Sequence, residues 1–139
     1  MSTGQTLLAL AAIVLLSIIS LNIGSMHVEA VETTVETQER NDAINIGEDL
    51  IEELQSYSYD YGQLDNRFGD LDDVTDEDKR RQYTSQIGKV YYATVELSSE
   101  ETILHGQTGR RATVQIYEET ESGDDYDMLA EFRTAILPL

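Results

Sequence analysis

The sequence predicts an α+β fold: a long N-terminal helix, its first half transmembrane, packed on a small antiparallel β-sheet of three to four strands. Three observations predict it. Leu7–Ile23 (LLALAAIVLLSIISLNI) is an uninterrupted apolar run. Ser25–Tyr59 holds no Pro and only one Gly, Gly47, and its apolar residues recur at helical spacing. From Lys89 onward, apolar residues alternate along three short stretches separated by Gly-containing turns.

The apolar run has 17 residues, at the lower end of the ~17–25 that span a bilayer. Its first acidic neighbour is Glu29, and the first Lys or Arg is Arg40. Ser17, Ser20 and Asn22 make its second half more polar. A cleaved secretory signal would need a basic start and a small-x-small cleavage site. Met1–Gly4 supplies no basic side chain, and Gly24-Ser25-Met26 is a poor site. A buried core helix would need surrounding apolar surface that the rest of the chain lacks. A single membrane-spanning helix over residues 1–24 is the expectation, with an amphipathic extension over 25–59.

Val28, Val31 and Val35, then Ala43, Leu50, Leu54 and Tyr57, form the apolar stripe of that extension, with Ile44 and Ile51 beside it. Glu29, Glu32, Glu36, Glu39 and Arg40 occupy other faces, the pattern of an amphipathic helix. One helix from Gln5 to Tyr59 would be ~80 Å long at 1.5 Å per residue, with Gly24-Ser25 as the expected kink. Residues 60–139 then form an acidic loop and a sheet, one domain with 43–59.

Asp60–Ile87 is rich in Asp and Gly, so its first half is expected to be loop. Thr75 is placed as the N-cap of a short helix, with Asp76, Glu77 and Asp78 in its first turn and Lys79, Arg80 and Arg81 following. Tyr83 and Ile87 would be its apolar edge. Three alternating stretches follow: Lys89–Leu97 with Tyr91, Ala93, Val95 and Leu97 on one face, Arg111–Glu118 with Ala112, Val114 and Ile116, and Met128–Leu137 with Ala130, Phe132, Thr134 and Ile136. Such runs are strands, and Gly106–Gly109 and Ser122–Asp125 are their expected turns. Three strands with one apolar face need a cover. Ala43, Gly47, Leu50 and Leu54 are the surface available to supply it.

The chain has 139 residues, a net charge of −18 and no Cys. All 27 acidic residues lie at or beyond Glu29. That charge opposes nucleic acid and opposes a head lying on anionic lipid. Only two residues are Lys, and an acid-rich, Lys-poor surface suits a saline or external medium. Disulfides and thiolate metal sites are excluded.

This layout resembles type IV pilins and pseudopilins: an apolar N-terminal helix, an amphipathic extension, a variable loop and an antiparallel sheet. The family's leader ends in Gly, is cut after it, and continues Phe-Thr-Leu-x-x-Glu. Here Gly4 is followed by Gln5-Thr6-Leu7-Leu8-Ala9. Gly4 and Gln5 match the residues flanking the cut, and Thr6 and Leu7 match the second and third mature residues. Gln5 in place of Phe is closer to archaeal-type leaders. Ala9 stands where the family has its glutamate, and the basic leader is absent. In the family that carboxylate pairs with the freed amine of a neighbouring subunit, because a charge in lipid is costly unless paired. Ala9 cannot make that pair. The resemblance implies a structural subunit of a pilus or secretion-type assembly, in the cell membrane or a surface filament, with its acidic head on the exoplasmic side.

The residues offer little for chemistry. His27 and His105 have no partner at ligand spacing, and no Gly-x-Ser-x-Gly, His-Glu-x-x-His or P-loop pattern is present. Gly106-Gln-Thr-Gly-Arg-Arg111 could form an anion-binding turn, although a plain hairpin turn is the simpler reading. Asp70, Asp72, Asp73, Asp76 and Asp78 could surround Ca²⁺, but they lack EF-hand spacing. Their repulsion opposes a closed loop unless a cation, or Arg80 and Arg81, neutralises it. The tyrosines, including Tyr57, Tyr59, Tyr61, Tyr91 and Tyr92, suit the edge of a small core or an interface. No enzyme activity, cofactor, resident metal, nucleic acid or small-molecule substrate is expected. The expected partners are the membrane and self-association or other pilin-like subunits. Ala9, Ala11, Ala12, Ser17 and Ser20 are the small residues that would let helices pack in lipid. The alternative is a single-pass anchored exoplasmic binding module whose acidic loop recruits a partner.

Overall fold

The computed structural model describes residues 2–139, with Thr33 described by its backbone alone. Met1 of the expected membrane segment lies outside the described residues. Helix α1 runs Thr3–Ser56, through Gly24-Ser25 without a break in helical structure. Two short 3₁₀ turns, Tyr57–Tyr59 and Tyr61–Gln63, lead into α2, Leu64–Phe68. After a third, Glu77–Lys79, come five strands among the described residues: β1 Arg81–Thr84, β2 Val90–Leu97, β3 Glu101–Leu104, β4 Gln107–Glu119 and β5 Tyr126–Ile136. The chain divides into two compact units, one ending at Gln38 and the other Glu39–Leu139.

In the second unit, the C-terminal part of α1 packs against an antiparallel sheet, the α+β arrangement expected. Strand β1 pairs β2, β2 pairs β4, and β5 pairs the opposite side of β4. Strand β3 pairs β4 at Glu101↔Gly109 and Thr102↔Thr108, following the β2 pairing that ends at Leu97↔Ala112. It therefore continues the β2 column after the interruption at Ser98–Glu100. The expectation of three to four strands becomes five, because that column is broken in two and because β1 was assigned to a helix.

The β1 correction has a clear cause. Local charge order favours a helix from Thr75, but β2 offers an open edge from Val90 to Ala93, and Arg81–Thr84 pairs along it. Tyr83 lies opposite Tyr91. Ile87 lies in the Ser85–Gly88 turn and is 77% exposed, so it forms no apolar edge with Tyr83. The cap is Asp76, whose carboxylate accepts from the Asp78 amide, and the helix it starts is one short 3₁₀ turn. The hairpin turn also shifts. His105 and Gly106 both have positive φ, 45° and 82°, as a two-residue turn between right-twisted strands requires. Gly109 is inside β4 instead of in the turn.

The core follows the predicted stripes. Ala43, Leu50 and Leu54 from α1 are buried with Tyr91, Ala93, Val95, Ala112, Val114, Ile116 and Ile136, and Phe132 packs at the cluster's edge. Leu64 and Phe68 of α2 complete it. In β2, Tyr92 and Thr94 are buried as well. The Arg80 guanidinium lies 3.9 Å above the Tyr92 ring, and the Val95 amide donates to the Leu71 carbonyl at 2.6 Å. The acidic segment therefore covers the second side of this strand. Val28, Val31 and Val35, in the first unit, are 59%, 60% and 51% exposed.

At Gly47 the backbone of α1 lies against the Phe132 side chain of β5. A Cβ there would overlap the Phe132 ring. Gly47→Val is expected to destabilise the head by ~1–3 kcal/mol through overpacking. Phe132→Ala in the same chain should relieve part of that cost. Urea melts of the single and double variants in detergent measure both, and additive losses would contradict the contact.

Candidate functional site

The first candidate is the N-terminal unit itself. Every described side chain of Leu7–Ile23 is exposed, with Leu8 and Leu21 at 72% and 73%. An 18-residue window of α1 reaches a mean hydropathy of 2.5 and is unburied, so this helix is long and apolar enough to cross a membrane. A helix is also suited to it, because the backbone groups bond within the segment. The Ser17 hydroxyl donates to the Ile13 carbonyl at 2.9 Å, so it needs no partner from water.

Gly4 and Gln5 lie in the first turn, where the Gln5 amide donates to the Ser2 carbonyl at 3.1 Å. Ala9, Ala11, Ala12, Ser17 and Ser20 are all exposed. At 3.6 residues per turn, Ala9, Ser17 and Ser20 share one face with Gly24. Ala12 lies beside that face and Ala11 on the far side, so the five do not form one packing surface.

The second candidate is the acidic segment. Asp73 accepts from the Thr75 hydroxyl at 2.6 Å and from the Thr75 amide at 2.9 Å. Those bonds, the hydroxyl first, hold its carboxyl below the ordinary value. Backbone bonds join Asp76 to Asp73, Lys79 to Asp76 and Asp73 to Lys79, closing the segment into consecutive turns. Arg80 donates to the Val74 carbonyl at 2.8 Å and to the Tyr126 hydroxyl at 2.7 Å. Arg81 turns instead to Glu53, 2.7 Å away. Asp70, Asp72 and Asp78 are exposed. Asp72 lines a surface hollow with Asp65, Glu96 and Arg110. Among the described residues, no three His, Cys, Asp or Glu side chains are grouped to hold a metal ion.

Three polar clusters were not legible in the sequence. Lys89 bridges Glu39 and Glu118. The Tyr91 hydroxyl donates to Asp42 at 3.0 Å. Arg110, read above as part of an anion-binding turn, lies in β4. It pairs with Asp65 at 2.7 Å and donates through Nε to the Ser98 carbonyl at 2.7 Å. A small hollow beside it is lined by Tyr61, Gly62, Ser99 and Glu100. The Tyr61 hydroxyl is buried without a hydrogen-bond partner among the described residues. These pairings join residues tens of positions apart, so no local motif could announce them.

The head's titration is set on the alkaline side. Burial, then the Asp42 carboxylate, pushes the Tyr91 phenol up from 10.0. Burial raises Tyr61, helped by Glu100, and raises Tyr117 against an opposing hydrogen bond from Thr94. Burial pulls Lys89 down, but its bonds to Glu118 and Glu39 win and raise it above 10.5. A group whose pKa rises on folding gives stability that is present below its unfolded value and lost as pH rises through the folded one. Glu131, lowered by Gln115 and then Arg133, and Asp73 act in the opposite sense in acid, but neither is buried and both are weak. Stability should be nearly flat from about pH 5 to 9 and fall above about pH 10. The Tyr91 share of the phenolate absorbance, taken as the difference from Tyr91→Phe, should rise together with loss of far-ultraviolet ellipticity. Ionisation of Tyr91 well before the fold is lost would contradict this.

No protein-family model matches this chain, and neither a curated protein nor a solved structure matches it.

Proposed function

We propose that this chain is a membrane-anchored, pilin-like or pseudopilin-like structural subunit of a pilus or secretion-type assembly. One observation carries the reading: a wholly exposed apolar helix without charge before Glu29, joined to a small acidic head with its own core. Gly4, Thr6 and Leu7 in register with the family's leader support it. The absence of a family glutamate at Ala9 suits a minor or divergent subunit. The acidic head takes the exoplasmic side, periplasmic or extracellular, and assembly runs through helix packing in lipid.

The mass of the mature chain from membranes tests this. Loss of the first four residues with a modified amine on Gln5 is the expected result. An intact chain would make it a plain anchor. The second reading is an anchored binding module. The buried, unpartnered Tyr61 hydroxyl beside the Arg110 hollow favours it. Under that reading, partner recruitment from the membrane would fail on Tyr61→Phe and survive changes in the apolar helix.

A further inference from the structure

Helix α1 carries a seven-residue repeat that runs from the apolar segment into the polar one. Val14, Leu21, Val28 and Val35 recur at every seventh position, and Ser17, Gly24 and Val31 follow three residues after the first three. The five large residues of this seam are 51–73% exposed. Such a 3–4 alternation is the pattern of two helices winding together, and β-branched residues at the first position of the repeat favour two parallel strands.

We infer that this seam pairs in parallel with the same seam of a second copy of the chain. The inference rests on the membrane-anchored reading above and names its partner. The polar side chains beside the seam carry the choice. His27 lies on one flank and Glu32, five residues later, on the other. In a parallel pair these flanking positions meet across the seam at that five-residue offset. Each His27 imidazole then faces the Glu32 carboxylate of the second copy, and the arrangement occurs twice. Glu29 and Glu36 lie off the seam on the outer side, so the chain's net charge of −18 does not set acid against acid there. An antiparallel pair would bring the Glu32 flanks together, and two copies inserted the same way in one membrane cannot adopt it.

The surface fits the same partner. Shallow grooves lie on both sides of Val28, one lined by His27, Val31 and Glu32, the other by Ser20, Leu21, Gly24, Ser25 and Glu29. A side chain from a facing helix enters such grooves in a two-stranded coil. Within lipid the seam narrows to Ser17 and Gly24, which let backbones approach.

The chain has no cysteine, so a single introduced Cys reports alone. Full-length Val28→Cys, Val31→Cys and Val35→Cys are compared with Ala30→Cys and Glu36→Cys, both at exposed positions on the outer side of the repeat, in membranes of expressing cells under mild oxidation. The seam variants should give a product of twice the chain mass, at least about fivefold above the two outer variants. Adding Glu32→Lys to Val31→Cys should lower the yield severalfold, and His27→Glu with Glu32→Lys should restore it. Equal yields at all five positions, a maximum at Ala30 or Glu36, or a product containing a different protein would overturn the pairing. Carbonate extraction of the same membranes separates the two failures. A retained chain without the dimer overturns the pairing alone. A released chain overturns the anchor as well.

Discussion

Leu54→Ala is expected to destabilise the head by ~2–5 kcal/mol. Leu54 is 0% exposed and sits in the cluster with Leu50, Val95 and Val114. Removing its branched end leaves a cavity between helix and sheet, two rigid layers that cannot close over it. Glu36→Ala, on an exposed turn of α1, should change stability by less than ~0.5 kcal/mol. Urea unfolding of both variants in detergent measures the difference. Equal, small effects would mean that helix and sheet do not pack.

Phe68→Ala should cost ~3–5 kcal/mol. Phe68 is fully buried, and its ring meets the Tyr57 edge with centroids 5.5 Å apart at 87°. The Arg81 guanidinium lies 4.9 Å from the ring centroid. The substitution therefore removes apolar burial, an aromatic pair and a cation–π contact together. Phe68→Leu, which keeps most of the burial, should recover over half of the loss. A loss below ~1 kcal/mol for Phe68→Ala would show that α2 is not part of the core.

These two residues mark what the sequence could and could not tell. Leu54 was legible because it belongs to a long helical stripe whose period repeats from Ala43. The inward faces of β2, β4 and β5 were legible because Tyr91, Ala93 and Val95, or Ala112, Val114 and Ile116, alternate without interruption. Phe68 was not. Helix α2 has five residues, too few to show a period, and its neighbours Asp65, Gly69 and Asp70 signal loop. Strand β1 was lost for a different reason. Its charges favour a helix locally, and only the open edge of β2 decides otherwise. The valines at 28, 31 and 35 belong by spacing to the stripe of the helical extension, ahead of the Ala43, Gly47, Leu50 and Leu54 surface that covers the sheet. They lie in the first unit, where every described side chain is exposed, so spacing alone could not say what they pack against.

The polar contacts were the least legible. Lys89 with Glu39 and Glu118, Tyr91 with Asp42, and Arg110 with Asp65 all depend on tertiary register. Repulsion among the aspartates opposes a closed segment unless a cation, or Arg80 and Arg81, neutralises it. Asp73 and Asp76 spend their carboxylates on Thr75 and Asp78, and Arg80 reaches back to the Val74 carbonyl. Short-range capping within the segment organises these turns.

The central claim is that the N-terminal helix anchors this head in a membrane, and carbonate extraction of the full chain tests it most directly. The full chain should stay with the membrane fraction, because its 17 apolar residues transfer favourably from water to lipid. A chain lacking residues 7–23 should be released as a soluble protein with the same far-ultraviolet strand signal. Full-length protein found wholly in the soluble fraction, with no filament present, would contradict the account.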